Sequence, residues 1–182
     1  LLQYLLIAVS PTNYFQLFNL PERFALDRNA LDAAYHELAS RVHPDKFANA
    51  SEAECRAAVQ WTAAANEGYA ALKSPVKRAT HLLTLAGHDI GAQSNTAMPR
   101  DFLMQQLEWR ESLAGARTAK DEAALSELED EVLALYRAKL VELERLLDQE
   151  ADLSAAVAVV RELLFIEKFK EEVAHALDAL AA

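Results

Sequence analysis

Arg41-Val42-His43-Pro44-Asp45-Lys46-Phe47 sets a polar tripeptide, His43-Pro44-Asp45, between two helical patterns. Upstream, Leu31, Ala34, Tyr35, Leu38 and Val42 recur at the spacing of one helix face. Downstream, Ser51-Glu52-Ala53-Glu54 reads as a capping box that restarts a helix. Proline fixes its own φ and disfavours helical geometry in the residue before it, so His43 ends the first helix. The tripeptide is therefore expected at the exposed tip of a helical hairpin, a rigid place from which to touch another protein.

Tyr14-Phe15-Gln16-Leu17-Phe18 with Leu20 precede this hairpin, Tyr35-His36 and Leu38 lie within it, and His43-Pro44-Asp45-Lys46-Phe47 forms its tip. Asn66-Glu67-Gly68-Tyr69 and Leu72-Lys73-Ser74-Pro75 close it. Together these residues, over roughly positions 13 to 78, resemble the J-domain of DnaJ-type co-chaperones. A bare His-Pro-Asp is weak; the tripeptide between two such helices, followed by Asn-x-x-Tyr-x-x-Leu-x-x-Pro, is specific. The remainder of the chain is unlike the Gly/Phe-rich and zinc-binding regions of general DnaJ proteins. It resembles the HscB family, J-type co-chaperones of iron–sulfur cluster assembly, in which a helical bundle comes directly after the J-domain.

Composition sets limits of its own. The chain has 182 residues, 52% of them hydrophobic, with four Gly and five Pro, which favours long helices and short connections. No sustained alternating pattern calls for a sheet. The expected fold is all-α: an N-terminal J-domain at 13–86, a linker at 87–98 and an antiparallel three-helix bundle at 99–182. The single cysteine, Cys55, rules out an internal disulfide and a cysteine-rich zinc site, and points to a reducing, cytoplasmic setting. No resident cofactor or metal is expected. Some HscB relatives carry an N-terminal cysteine-rich zinc module, and none is present in this sequence.

Charge divides unevenly. Residues 1–86 hold eight Lys/Arg and eight Asp/Glu, whereas residues 87–182 hold ten and twenty, the whole of the net charge of −10. Such a chain is a poor binder of nucleic acid, which needs clustered cations, and a poor match for an anionic membrane surface. Leu1 to Val9 are mostly apolar but too few to span a bilayer, and no basic region or small-residue cleavage site precedes Pro11. Residues 1–12 read as an extension, either an addition upstream of the native start or a short helix packed on the domain.

The J-like region predicts helices at about 13–20, 29–42, 52–73 and 75–86, with Asp27 and Ser74 as caps and Pro75 in a first turn. The bundle predicts a helix from Pro99 to Gly115, a second starting at the Thr118-Ala119-Lys120-Asp121 cap and running to Glu150, and a third from Asp152. Leu125, Leu128, Val132, Leu135, Leu143 and Leu146 form the buried stripe of the second; Leu153, Val157, Val160, Leu164, Val173, Leu177 and Leu180 form that of the third. Tyr35, Leu38, Trp61, Tyr69 and Leu72 read as core, Phe47 as the anchor of the loop, and Asn66 as a local hydrogen-bonding group.

His43 and Asp45 do not make an enzyme. No third group, Gly-rich phosphate loop or metal-ligand spacing accompanies them, and His36, His43, His81, His88 and His175 do not cluster in sequence. The J-domain resemblance implies instead that His43, Pro44 and Asp45 engage an ATP-driven chaperone of the HscA/DnaK class and stimulate its hydrolysis. It also implies a positive second helix, here thin: Arg41 and Lys46 adjoin the loop and Arg28 starts the helix, but Asp32 and Glu37 share it.

The first bundle helix carries two apolar stripes where one suffices. At about 100° per residue, Phe102, Trp109 and Leu113 fall together, while Leu103, Met104 and Leu107 fall elsewhere, beside Glu108 and Glu111. From the wheel alone the second stripe is either a partner-binding patch rimmed by carboxylates or a face buried under the J-domain. Phe165 likewise lies on a mixed face, with Ala158, Glu162, Phe169 and Glu172. The HscB resemblance implies that Leu103, Met104, Leu107, Glu108, Glu111 and Phe165 bind the IscU-type iron–sulfur scaffold protein. A J-domain co-chaperone with another client or a general folding role is the alternative.

Overall fold

A computed structural model describes residues 13–47, 50–90 and 98–181. Among them there is no strand; the chain is helical and divides between Leu85 and Ala86 into two compact units. Residues 1–12 and most of the 87–98 linker lie outside the described residues.

The first unit contains α1 (Tyr14–Leu17), α2 (Arg28–Val42), α3 (Glu52–Lys73) and α4 (Pro75–Leu85). Each boundary follows from the local chemistry the sequence announces. Asn13 accepts hydrogen bonds from the amides of Phe15 and Gln16, and Asp27 from that of Asn29. Ser51 and Glu54 form the reciprocal capping box, which also holds the Glu54 carboxyl below its ordinary range. Ser74 accepts from Lys77 N–H at 3.3 Å, with Pro75 in the first turn of α4. At the end of α3, Arg78 donates to the Leu72 carbonyl at 2.7 Å. Gly87, at φ 84°, carries the chain out of α4.

Phe15, Phe18, Leu31 and Leu72 are buried together in this unit's core. α1 crosses α3 at Gly68, where an added Cβ would stand 2.9 Å from Tyr14 Cδ1. Only a residue without a side chain lets the aromatic helix lie so close. Of the residues expected in the core, Leu72 is fully buried, whereas Tyr35, Leu38, Trp61 and Tyr69 are half-buried. The two tyrosines keep their hydroxyls in polar company: Tyr35 donates to Asn66 at 2.8 Å and Tyr69 to Asp32 at 2.9 Å, their rings stacked 4.3 Å apart. Asn66 thus bonds across helices rather than locally.

The second unit contains α5 (Arg100–Ala119), α6 (Glu122–Arg145), closed by a π-type turn at Leu146–Glu150, and α7 (Leu153–Ala181). The expected end of α5 at Gly115 and the expected cap at Thr118 are both displaced. The helix runs on to Ala119, and the Thr118 hydroxyl donates back to the Ala114 carbonyl from inside it. Lys120 takes the left-handed conformation at φ 53° and Asp121 caps α6 by accepting from Ala124 N–H. The second turn repeats the device: Ala151 is left-handed at φ 54° and Asp152 accepts from Ala155 N–H. Each turn therefore places a lysine or an alanine where glycine is the usual residue, and so leaves no glycine to mark the helix end in the sequence.

Phe102, Trp109, Leu113, Leu125, Leu128, Val132, Ile166, Phe169 and Val173 share the bundle core. Of the predicted stripes, Leu135, Leu153, Val157, Leu177 and Leu180 are only partly buried, and Leu164 is 45% exposed while Leu163, Ile166 and Phe169 take the inward positions. The physical reason is the phase of α7, which turns its heaviest apolar groups inward and leaves Leu164 outside. Glu162 is buried and pairs with Lys139 at 2.7 Å. Burial pulls the Lys139 ammonium down, but hydrogen bonds to Glu162 and Glu142 outweigh it and hold the group above its ordinary value.

Candidate functional site

His43 leaves α2 at φ −58°, ψ 127°, the extended geometry that a following proline demands. Pro44–Phe47 then form one 3-10 turn, closed by Lys46 N–H on the His43 carbonyl at 3.0 Å. The Asp45 amide donates to His43 Nδ1 at 3.3 Å, which orients the imidazole over the turn. The Asp45 carboxylate stands 3.6 Å from the same nitrogen. His43 and Asp45 side chains are 56% and 90% exposed, so the tip offers a carboxylate, an imidazole and a fixed kink to a partner.

The base of this loop is secured by two residues that no sequence motif marks. Thr62 Oγ1 donates to the Ala58 carbonyl of its own helix at 2.9 Å and stands 3.2 Å from the Val42 carbonyl, and Cys55 Sγ donates toward that of Phe47 at 3.0 Å. Both anchors sit on α3 and hold the two ends of the turn to one rigid helix. Phe47 itself is half-buried. Local spacing gives no sign of Thr62 or Cys55, because the bonds close only when α2 and α3 pair.

The cations of α2 and of the tip are partly committed. Arg41 lies 3.6 Å from Glu37, and Arg28 bonds Asp32 at 3.1 Å, each one turn apart on α2. Tyr69 and then Arg28 hold the Asp32 carboxyl below its ordinary value. Lys46 reaches Ser40 at 3.4 Å. The thin basic face expected of α2 is thus divided among exposed ion pairs, each of small energetic weight.

In the second unit, α5 sorts its two stripes as the wheel does. Phe102, Trp109 and Leu113 are 7%, 2% and 6% exposed, while Leu103, Met104 and Leu107 are 44%, 51% and 52% exposed. Glu108 and Glu111 are exposed beside them. Phe165 is half-buried: its ring meets Phe102 edge-on at 5.8 Å and Phe169 in a stack at 6.0 Å, under the Arg110 guanidinium at 5.6 Å. It is therefore tied to α5 through Phe102 and Arg110, on the flank of the outward stripe. Leu164, next to it, is exposed as well, although its spacing predicts core.

Among the described residues no cluster of three His, Cys, Asp or Glu is arranged to hold a metal ion, and no helix is long and apolar enough to cross a membrane.

Comparison with known proteins agrees with this architecture. The family model described as the HSCB C-terminal oligomerisation domain matches residues 98–174. The chain is 51% identical over 168 residues to the co-chaperone protein HscB homolog of Burkholderia multivorans, covering 92% of this chain and 95% of that protein. It is 51% identical over 167 residues to the homolog of Ralstonia nicotianae, with the same coverage. Among solved structures it is similar to chaperone HscB from Vibrio cholerae, with a TM-score of 0.81 and 41% identity over 92% of this chain and 99% of that one. Human co-chaperone protein HscB gives a TM-score of 0.86 at 28% identity over 92% and 84%. Fold and loop define a J-domain joined to a C-terminal helical bundle. Within that class, this chain belongs to the HscB family.

Proposed function

We propose that this protein is a co-chaperone of iron–sulfur cluster assembly that joins two partners. Leu103, Met104, Leu107, Glu108, Glu111 and Phe165 bind a scaffold protein of the IscU type. His43, Pro44 and Asp45, with Arg41 and Lys46 beside them, engage an HscA/DnaK-class chaperone and stimulate its ATPase. The 87–98 segment links the two functions, so that bound scaffold is delivered to the ATPase. The protein performs no chemistry of its own and works in the cytoplasm without nucleic acid or membrane.

The observation that carries this reading is the outward stripe of α5. A single helix that exposes Leu103, Met104 and Leu107 while its opposite face is fully buried leaves a contiguous apolar surface in water. Carboxylates at its edge keep such a patch soluble and steer association. Titration of the full chain with an IscU-type scaffold, and of the ATPase with and without that scaffold, tests it. Scaffold binding lost on Leu107→Ala supports the assignment; binding unaffected by Leu107→Ala and Phe165→Ala alike means that the scaffold docks on another surface, and no binding by the unmutated chain points to a J-protein with a different client.

A further inference from the structure

We propose that Glu131 fixes the rotational register of α5, and thereby the angle at which its outward apolar stripe is presented. Glu131 is then a positioning residue for the docking face, and the inference rests on the scaffold-binding reading of that face given above.

Burial favours turning the bulkier Phe102, Trp109 and Leu113 inward over Leu103, Met104 and Leu107, but it is non-directional and does not fix the angle at which that stripe sits. The start of α5 does not fix it either, since Pro99 provides no side-chain cap. Directional bonds from the neighbouring helices do. Trp109 Nε1 donates to Glu131 Oε1 on α6 at 2.8 Å, and Gln105 Nε2 donates to the same oxygen at 3.1 Å. The Trp109 ring is buried and stacked on Phe169 at 5.4 Å, while Glu131 itself is exposed, so the indole N–H meets its acceptor at the edge of the core. On the other flank, Arg110 lies over the Phe165 ring at 5.6 Å and 3.7 Å from Glu172 of α7. The buried stripe of α5 is thus bracketed by one polar tie to α6 and one to α7. Arg110 and Glu131 are both exposed, but the Arg110 tie is long at 3.7 Å, which leaves Glu131, with two donors on one oxygen, as the stronger of the two.

The test uses the full chain with Glu131→Leu, which removes the acceptor, and Glu131→Gln, which keeps a side-chain oxygen at the same reach. In Glu131→Leu the Trp109 indole N–H resonance should shift and exchange faster with solvent, with Trp61 as internal reference. Affinity for an IscU-type scaffold should fall about tenfold, the loss of one well-placed contact when the face is turned out of line. Glu131→Gln should restore both readouts to within about twofold. A shifted Trp109 resonance with unchanged affinity overturns the proposal, as does a Gln variant as impaired as the Leu variant. If Glu131→Leu fails to fold, Trp109→Phe, which removes the indole donor to Glu131 and keeps a ring in the core, should lower affinity in the same direction, and unchanged affinity overturns the proposal. Leu107→Ala, measured alongside, reports on the docking reading separately. Should that reading fail, the register proposal is judged on the relaxation of the Leu103 and Leu107 methyls by a dissolved paramagnetic agent, which must change in Glu131→Leu; unaltered relaxation overturns it.

Discussion

Asp45 projects from a single 3-10 turn and is held by backbone and hydroxyl bonds at the turn's base; Leu107 projects from the middle of a twenty-residue helix whose other face is core. The first region presents polar groups in a fixed arrangement and almost no area. The second presents apolar area and few directional groups. A polar tip works through which atoms it carries, so its function is sensitive to chemistry and insensitive to packing. An apolar helix face works through how much surface it offers and how it is aimed, so its function depends on the helix behind it.

The contrast is sharpest at His43. His43→Gln should abolish stimulation of the partner ATPase while changing folding stability by less than about 0.5 kcal/mol, because an exposed tip carries little packing energy. Stimulation assays and calorimetry on the same variant check this; a folded variant with normal stimulation removes the chaperone-binding role of the loop. Leu107→Ala should weaken scaffold binding by about 2 kcal/mol, as for a central apolar anchor, with little change in melting. A depressed melting temperature with full affinity in the folded fraction would mean that the stripe is structural.

Gly68→Ala probes the platform under the loop. Alanine gains about 1 kcal/mol of helix propensity, but its Cβ would stand 2.9 Å from the Tyr14 ring. Overpacking of this kind costs about 1–3 kcal/mol, so the net should be a loss of about 1 kcal/mol. Chemical denaturation monitored in the first unit measures it, and an unchanged or raised midpoint would show that α1 does not rest on Gly68 as described.

His81 gives a pH dependence. Its Nε2 accepts from Tyr14 N–H at 3.0 Å and its ring stacks on Tyr14 at 4.5 Å. Burial holds its pKa below the ordinary value, with Glu22 opposing weakly. The unfolded chain therefore takes up the proton first as pH falls below about 6.5, and this contribution to stability is lost between that value and the lower folded-state pKa. His81→Gln, which accepts without titrating, should flatten melting temperature against pH across that window; an unchanged slope would assign the pH dependence elsewhere. The smallest effect is expected at the rim of the patch: Glu108→Ala should alter association rate and its salt dependence more than affinity, read by stopped-flow mixing at two ionic strengths.

Much of this is legible in the sequence because it is local. Asp27, Ser51 with Glu54, and Ser74 with Pro75 announce helix starts through bonds that close within one turn, and His43-Pro44 announces an end. The two stripes of α5 follow from periodicity alone. Features that only tertiary pairing creates are not legible. Lys120 and Ala151 occupy left-handed positions without being glycine, so Gly115 and Thr118 suggest a boundary that the helix passes. Leu164 has the spacing of a core residue, but the phase of α7 is set by Leu163, Ile166 and Phe169 against the rest of the bundle. Asn66, Thr62 and Glu131 bond to residues at least twenty positions away, and no spacing rule reports such partners.

If the loop and the α5 face serve different partners, they must fail separately. The decisive measurement is steady-state hydrolysis by an HscA-class chaperone, stimulated by the full chain carrying Leu107→Ala and titrated with an IscU-type scaffold. The variant alone should stimulate as the wild type does, through His43-Pro44-Asp45, and should lose the further increment that scaffold adds. Stimulation that falls without scaffold, or a scaffold-dependent increment that survives intact, would refute the separation of the two sites.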